Sequence, residues 1–297
     1  MNPIVEVNRL NKTYGKDTVI RDVSFVIEQN KIYGLLGRNG AGKTTIMHIL
    51  TAQLFPTSGD MLVFGEKPYE NNRVLSQLCF IKESQKYPDS FRIVDVLAVA
   101  ASIYPNWDQK YALQLVEDFR LPLKRRMKKL SRGMLSSVGV IVGLASRAPL
   151  TIFDEPYLGL DAVARNLFYK KLIEDYAEYP RTFILSTHLI DEVSNLLEHV
   201  ILIDDGKILI DEDADEIREK AYTAVGAAQH VSKLTAGKTI IHQESIGGMM
   251  TTTVLERLNG AQRREAEALG IEIAPVSLQK LIVHLTGNKG NGKVAEC

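Results

Sequence analysis

The sequence contains 297 residues, which is long enough for about two globular domains. Hydrophobic residues make up 45% of the chain and charged residues 24%, and this composition excludes a disordered, collagen-like or fibrous protein. The 36 basic and 36 acidic residues cancel to a formal net charge of zero, so the chain has no overall positive field that would attract nucleic acid or anionic lipid.

Cysteine usage and hydropathy indicate the cellular compartment. The two cysteines, Cys79 and Cys297, form neither a disulfide framework nor a CxxC metal motif, which predicts a reducing compartment. The N-terminal residues lack the basic start and the apolar core of a signal peptide. The charge-free apolar stretch at 134–146 is shorter than the roughly 20 residues that span a bilayer. We therefore expect a chain that does not cross a membrane by itself.

The N-terminal part of the chain has the pattern of strands that lead into a helix. Apolar and polar residues alternate over 4–7 and 23–27, which indicates two half-buried strands. An uninterrupted apolar run at 32–36 is typical of a strand buried on both faces of a parallel sheet. Apolar spacing then predicts a helix over 43–54.

The middle of the chain returns to strands after a long helical stretch. Helical spacing dominates residues 90–148, and short apolar runs indicate strands at 150–153, 182–186 and 200–203. Strands that alternate with helices in this way, with a helical insertion between them, predict an α/β domain with a mostly parallel core sheet.

The C-terminal part mixes short strands with helices, the first of them predicted over 212–220, as in a small α+β domain. We therefore predict a large domain over 1–220, which contains a helical subdomain at about 88–149, and a small accessory domain over 221–297. The end of the chain, 287–297, is rich in Gly, Asn and Lys and is expected to fray.

The strongest chemical signal is a glycine-rich loop between a predicted strand and a predicted helix. It fits the phosphate-loop pattern G-x-x-x-x-G-K-[ST]. Its residues are Gly37, Arg38, Asn39, Gly40, Ala41, Gly42, Lys43 and Thr44, with Thr45 directly after them. The glycines let backbone N–H groups turn toward phosphate oxygens, and the N-terminus of the next helix adds positive potential. Lys43 is predicted to reach the β- and γ-phosphates, and the Thr44 hydroxyl is predicted to bind Mg²⁺.

Two carboxylates follow the predicted strand at 150–153. Asp154 ends this strand and is predicted to hold Mg²⁺, whereas Glu155 beside it is predicted to polarise the water that attacks the γ-phosphate. An Asp-Glu pair alone is equally well explained as a solvated turn. Beside a phosphate loop it indicates nucleotide hydrolysis.

The segment 130–134, Leu-Ser-Arg-Gly-Met, resembles the L-S-G-G-Q signature of the ATP-binding cassette (ABC) family. In that family the serine and the glycines of the signature bind the γ-phosphate on the opposite subunit, which implies this role for Ser131 and Gly133. Arg132 and Met134 depart from the pattern. Taken alone, Ser131 is better explained as an ordinary helix N-cap.

Further residues agree with the ABC family in order and spacing. Tyr14 lies where the family stacks an aromatic ring on adenine, Asp161 lies in a Gly-Leu-Asp sequence like the family's D-loop, and His188 matches the switch histidine that contacts the γ-phosphate. The family's glutamine that links Mg²⁺ to the membrane partner aligns with Glu83, and Gln85 follows two residues later. Glu83 is therefore a candidate metal ligand, and either residue fits the role of the glutamine.

The resemblance implies a P-loop cassette with a mostly parallel core sheet and antiparallel N-terminal strands. It implies ATP and Mg²⁺ as cofactors and catalytic roles for Glu155, His188 and Lys43. It also implies a dimer with a second cassette subunit, identical or not, because the signature loop of one subunit completes the ATP site of the other. Since no spanning segment is predicted, separate membrane permease subunits are expected, with this chain bound peripherally at the cytoplasmic face of the cell membrane.

The same resemblance suggests where the membrane subunit docks and in which direction cargo moves. The docking surface in the family lies beside the Gln-loop, here residues 82–92, with Tyr87 and Phe91 as candidate anchors; internal packing explains these two rings equally well. The tract at 104–108 resembles Gram-positive exporters of small amphipathic peptides or cell-wall-active compounds, so export is expected.

The alternative is a soluble cassette ATPase that acts on nucleic acid or the ribosome. DNA-repair cassettes carry long coiled coils and translation-associated cassettes usually carry two cassettes per chain, neither of which fits this sequence, so no nucleic-acid partner is expected. A GTPase is excluded because no N-K-x-D guanine motif follows the phosphate loop.

Overall fold

The structure is a computed structural model that describes residues 3–83 and 85–287. Its strands are β1 Pro3–Tyr14, β2 Asp17–Glu28, β3 Ile32–Leu36, β4 Ser58–Val63, β5 Leu78–Ile81, β6 Leu150–Asp154, β7 Thr182–Thr187, β8 His199–Asp204, β9 Lys207–Asp213, β10 Tyr222–Ala227, β11 Ile240–Ile246, β12 Met249–Val254 and β13 Glu272–Pro275.

Its helices are α1 Lys43–Leu50, α2 Asn72–Leu75, α3 Ile93–Ile103, α4 Gln109–Asp118, α5 Arg132–Ala145, α6 Ala162–Glu178, α7 Ile190–Val193, α8 Ala214–Glu219, α9 Ala228–Leu234, α10 Gly260–Ala268 and α11 Leu278–Gly287, with a 3₁₀ turn at Met127–Lys129. Within the described ranges, none of these helices combines the length and the hydropathy needed to cross a bilayer.

A six-stranded sheet has the order β5-β6-β7-β3-β8-β9. The pairs β5–β6, β6–β7, β7–β3 and β3–β8 are parallel. Every residue of β3, β6 and β7 is buried, as uninterrupted apolar runs predict. The predicted mostly parallel core is therefore confirmed. Because β6, β7 and β3 are neighbours, the loops that follow their carboxyl ends meet at one edge of the sheet.

A second sheet, formed by N-terminal strands, is antiparallel and has the order β2-β1-β4. Along β2 the apolar residues Val23, Phe25 and Ile27 are buried and alternate with exposed ones, so the predicted half-buried strand is confirmed. The sequence does not predict β4, because its first residues, 58–60, are polar or glycine and are exposed.

Two helix predictions are too long. α1 ends at Leu50, short of residue 54, because Thr51 caps it and Ala52 takes a left-handed φ of 55° that interrupts the helical hydrogen bonds. The helix predicted over 212–220 begins only at Ala214, because β9 continues through Asp213.

The contacts divide the chain into two compact units. The first runs to His188 and resumes over Leu196–Asp211, and the second comprises Leu189–Asn195 and the described residues from Glu212 onward. These units are defined by contacts and do not test the predicted boundary between two domains after residue 220, which stays a prediction. The tail that is predicted to fray lies, from residue 288 onward, outside the described part of the chain. Cys297 lies there too.

The second unit has the β-α-β-β-α-β order of a ferredoxin-like fold, from β10 to β13. Its antiparallel sheet has the order β11-β12-β10-β13. Side chains of β10, β12, α9 and α10 form a hydrophobic core of their own. This confirms the α+β character expected of the C-terminal part.

A buried group of charges connects the helical insertion with the core sheet. Asp175 on α6 forms ion pairs with Arg147, which precedes β6, and with Arg181, which precedes β7. Arg147 also pairs with Asp108, the N-cap of α4, at 3.1 Å, and its guanidinium lies 3.8 Å from the ring centroid of Tyr179. The Asp175 side chain is 1% exposed, so its charge depends on these two arginines for compensation.

We expect Asp175→Asn to lower the free energy of unfolding by about 3 kcal/mol, because it leaves two arginines without their buried counter-charge. Urea denaturation of the full chain measures the change. The matched control is Glu66→Gln, which removes the carboxylate of an exposed ion pair with Arg73 and is expected to cost less than about 1 kcal/mol. Equal losses in the two variants would contradict the structural role of the Asp175 cluster.

Candidate active site

The phosphate loop joins the end of β3 to the start of α1, and two of its glycines are required by space. Gly37 has a φ of 151°, and a Cβ there would lie 2.2 Å from the carbonyl oxygen of Ile203. Gly42 caps α1 with a φ of 113°, and its Cβ would lie 2.5 Å from Cδ1 of Ile20. A side chain at Gly37 would collide with backbone, whereas at Gly42 the positive φ itself disfavours any residue that has a Cβ. The apex of the loop, residues 38–40, is exposed to solvent.

Lys43 lies under this loop rather than in solvent. Its side-chain nitrogen donates hydrogen bonds to the carbonyl oxygens of Gly37, at 2.7 Å, and Arg38, at 3.2 Å. Burial lowers the pKa of Lys43, while the negative charges of Glu155 and Asp154 oppose that shift. The ammonium group is thus held between the loop and the two carboxylates that the sequence singles out.

Thr44 connects the phosphate loop with the end of β6. Its hydroxyl donates a hydrogen bond of 2.9 Å to Oδ2 of Asp154. The other carboxylate oxygen of Asp154, Oδ1, is buried and has no hydrogen-bond partner in the described part of the chain. Ala41 is buried and Thr45 half-buried on either side of these residues. A buried carboxylate oxygen next to a hydroxyl is the donor set that suits a hard divalent cation.

Glu155 and His188 are brought together across β6 and β7. Oε2 of Glu155 lies 2.8 Å from Nδ1 of His188. Glu155 has a left-handed φ of 50°, and its backbone N–H donates to the carbonyl of Ser186 on β7. The Glu155 side chain is 9% exposed and that of His188 44%, so the histidine is the more open member of the pair. A third residue, Tyr157, donates a short hydrogen bond to the same oxygen of Glu155.

Tyr14 is exposed at the end of β1. Its ring is 48% exposed, and Nζ of Lys12 lies 5.0 Å from the ring centroid. An exposed phenol ring of this kind is able to stack on a planar base.

The signature residues Ser131 and Gly133 lie at the start of α5, and Gly133 contacts the D-loop. The Ser131 hydroxyl accepts a hydrogen bond of 3.2 Å from the N–H of Met134, so it does cap α5. A Cβ on Gly133 would lie 2.6 Å from the carbonyl oxygen of Gly159. Asp161 in the same loop caps α6 through a 2.8 Å bond from the N–H of Ala164. Gly133 thus lies against the D-loop, and within the described residues neither Gly133 nor Ser131 forms a hydrogen bond with the phosphate loop.

The comparisons with known proteins agree with this geometry. A family profile described as "ABC transporter" matches residues 20–158. The ABC transporter ATP-binding protein YtrB of Bacillus subtilis (strain 168) is 24% identical over 96% of this chain and 99% of its own. The bacitracin transport ATP-binding protein BcrA of Bacillus licheniformis is 30% identical over 74% of this chain and 73% of its own.

A solved structure described as the ATP binding subunit of an ABC transporter is 26% identical, with a TM-score of 0.66 over 72% of this chain and 92% of its own. This chain belongs to the ABC transporter ATP-binding proteins. It binds ATP, and ATP hydrolysis is the activity of its family. The resemblance and the cassette fold predicted from the sequence are thereby confirmed.

Two departures of this ABC protein from its family's sequence pattern lie next to each other. The guanidinium of Arg132 is 3.7 Å from Oε1 of Glu83, with both side chains at least 49% exposed. Glu83 therefore forms an ion pair with the signature loop, and its predicted role at the metal stays a prediction. Gln85, the other candidate for the glutamine position, is half-buried.

A groove of about 520 Å³ lies beside this ion pair, between the Gln-loop and α5, and Tyr87, Leu130 and Leu135 are among the residues that line it. The Tyr87 hydroxyl is buried, which shows that this side chain packs internally. Tyr87 also lines the groove. Phe91 is half-buried and does not line the groove.

Sequence reasoning overlooks Tyr157. Its side chain is 2% exposed and lies within hydrogen-bond distance of both Glu155 and His188. The available signal is its place two residues after Glu155, where an aromatic residue near a tight turn is able to fold back onto the carboxylate.

We expect Lys43→Ala to weaken ATP binding at least about tenfold, because it removes the charge-assisted hydrogen bonds that an ammonium group makes to phosphate. Titration of the full chain with a fluorescent ATP analogue measures the affinity. The control is Lys67→Ala, since Lys67 forms only an exposed ion pair with Asp60. Wild-type affinity in Lys43→Ala would show that the loop binds phosphate without this residue.

Proposed function

We propose that this chain is one of two ATP-hydrolysing subunits that drive the export of a small amphipathic molecule through separate membrane permease subunits. The observation that carries the proposal is the division of the site. The phosphate loop, Asp154, Glu155 and His188 share one sheet edge, whereas Ser131 caps α5 and Gly133 lies against the D-loop, so that the proposed role of these two residues requires a second subunit.

Binding of ATP would exchange hydrogen bonds at Lys43. The ammonium group leaves the carbonyls of Gly37 and Arg38 and donates to the β- and γ-phosphates, while the backbone N–H groups of the loop and the N-terminus of α1 face the same oxygens. The exposed ring of Tyr14 supplies a platform for the adenine.

Mg²⁺ fits the residues at the end of β6. The unpaired Oδ1 of Asp154 and the Thr44 hydroxyl are oxygen donors at the mouth of the loop, and Glu83 is the third residue proposed for this metal. When bound, the cation neutralises phosphate charge that develops during hydrolysis.

We expect Asp154→Asn to weaken Mg²⁺ binding in the presence of ATP by roughly tenfold or more, because the substitution removes the negative charge of the ligand. Calorimetric titration of Mg²⁺ into the ATP-loaded chain gives the affinity. Asp205→Asn, which alters an exposed partner of Arg21, serves as the control and is expected to behave as wild type. Unchanged affinity in Asp154→Asn would place the metal elsewhere.

Glu155 is proposed as the general base and His188 as the residue that stabilises the γ-phosphate. Glu155 takes a proton from the attacking water, the water oxygen bonds to the γ-phosphorus, and the bond to the bridging oxygen of ADP breaks. Loss of the γ-phosphate removes the group that Ser131 and Gly133 of the second subunit bind, so the dimer opens. This cycle converts hydrolysis into movement of the membrane subunits.

The membrane subunits are proposed to dock in the groove lined by Tyr87, Leu130 and Leu135. It lies beside the Gln-loop, and its apolar walls suit a short amphipathic helix of a partner. This arrangement would place the chain at the cytoplasmic face of the membrane without a span of its own. Export, rather than uptake, is supported by the similarity to a protein described as a Nod factor export ATP-binding protein.

We expect Glu155→Gln to lower ATP hydrolysis by about 100-fold or more, because a general base contributes that much, and to accumulate an ATP-bound dimer. Steady-state hydrolysis and gel filtration with ATP measure the two effects. Glu178→Gln at the end of α6 is the control and is expected to hydrolyse ATP at the wild-type rate. Wild-type hydrolysis by Glu155→Gln would mean that the base is another residue.

The same variant tests the transporter assignment. We expect Glu155→Gln, extracted gently from its native host with detergent, to carry a stoichiometric polytopic membrane protein. Adding Leu135→Glu to the groove should abolish this association and leave the dimer intact, whereas adding Val26→Glu on the exposed face of β2 should not. Ribosomal or DNA-bound partners with no membrane protein would favour the soluble switch instead.

A further inference from the structure

Tyr157 is the centre of a hydrogen-bonded group with Glu155 and His188. The phenol donates a short bond to Oε2 of Glu155 and lies 2.9 Å from Nδ1 of His188. The backbone N–H of His188 donates to the phenol oxygen at 3.0 Å. One buried oxygen atom therefore touches the side chain of the proposed base and both the backbone and the ring of the proposed switch histidine.

The chemistry of the partners fixes where the protons lie. A carboxylate oxygen only accepts, so both the Tyr157 hydroxyl and Nδ1 of His188 donate to Oε2 of Glu155. Burial, together with the bond to Glu155, raises the pKa of Tyr157, so the phenol keeps its proton. With Nδ1 used in this way, Nε2 is the ring nitrogen of His188 left for a ligand.

Both donors use the same oxygen of the carboxylate. With Oε2 occupied by these two donors, Oε1 of Glu155 is the oxygen atom that neither of them uses, and it is the atom we assign to receive a proton. The backbone of Glu155 has a left-handed φ of 50°, a conformation that a glutamate rarely adopts. The two side-chain donors hold the direction of the carboxylate, and Tyr157, which is 2% exposed, is far more deeply buried than His188, whose side chain is 44% exposed.

We propose that Tyr157 is a positioning residue for ATP hydrolysis, whose hydroxyl fixes Oε2 of Glu155 and the backbone of His188 so that Oε1 faces the attacking water. The proposal rests on the role of Glu155 as the general base. Tyr157 itself transfers no proton. It acts by orientation, because general-base catalysis requires the accepting atom in line with the water oxygen and the γ-phosphorus.

The test is Tyr157→Phe in the full chain, which removes the hydroxyl and keeps the ring. We expect kcat for ATP hydrolysis to fall about tenfold or more while KM for ATP stays within twofold, because ATP binding does not involve Tyr157. Tyr176→Phe is the matched control, since it removes a phenol oxygen that bonds to the carbonyl of Asn30 and to Glu198. That variant is expected to keep both constants.

A double variant separates positioning from simple stability. In the Glu155→Gln chain, the further change Tyr157→Phe is expected to leave the residual hydrolysis rate unchanged, because the carboxylate that Tyr157 orients is already gone. An additional tenfold loss in that background, an increase in kcat, or a kcat within twofold of wild type in Tyr157→Phe would overturn the proposal. Hydrolysis by the wild-type chain in the same assay tests the proposed function, and the ratio of the variants tests Tyr157.

Discussion

The parallel order of β6, β7 and β3 is the constraint on which the site depends. Each strand ends at the same edge of the sheet: β6 ends in Asp154, β7 is followed at once by His188, and β3 is followed at once by Gly37, all three of them proposed site residues. None of these residues is near the others along the chain. The hydrogen bond between Thr44 and Asp154 then joins the first turn of α1 to the end of β6, so loop, helix and strand hold one another in place.

Three charged side chains are buried at this edge of the sheet. Lys43, Asp154 and Glu155 are all nearly excluded from water, and they partly compensate one another. Lys43 satisfies its donors on carbonyls of its own loop, and one oxygen of Asp154 has no hydrogen bond in the described residues. In the proposed function, the phosphates and the cation would supply partners for both groups.

The sequence predicts those parts of the molecule whose signals are local. The buried run 32–36, the glycine loop and the Asp-Glu pair are each short motifs that need no knowledge of the fold. β4 and β10 are missed because they are rich in small or polar residues and are stabilised only by strand pairing. The ion pair of Glu83 with Arg132 and the contact of Tyr157 with His188 are missed for a related reason, since both depend on which loops the sheet brings together.

The second compact unit is not a contiguous piece of chain, and this limits how the protein can be divided. The short segment that follows His188 belongs to it: the N–H of Asp191 donates to Gln279, and Arg218 donates to the carbonyl of Ser194. A truncation after Asp211 would therefore remove partners from residues at both ends of α7, which begins two residues after His188 of the proposed ATP site. Any exchange of the C-terminal unit that keeps its contacts intact would therefore have to carry the internal segment Leu189–Asn195 along with the residues from Glu212 onward.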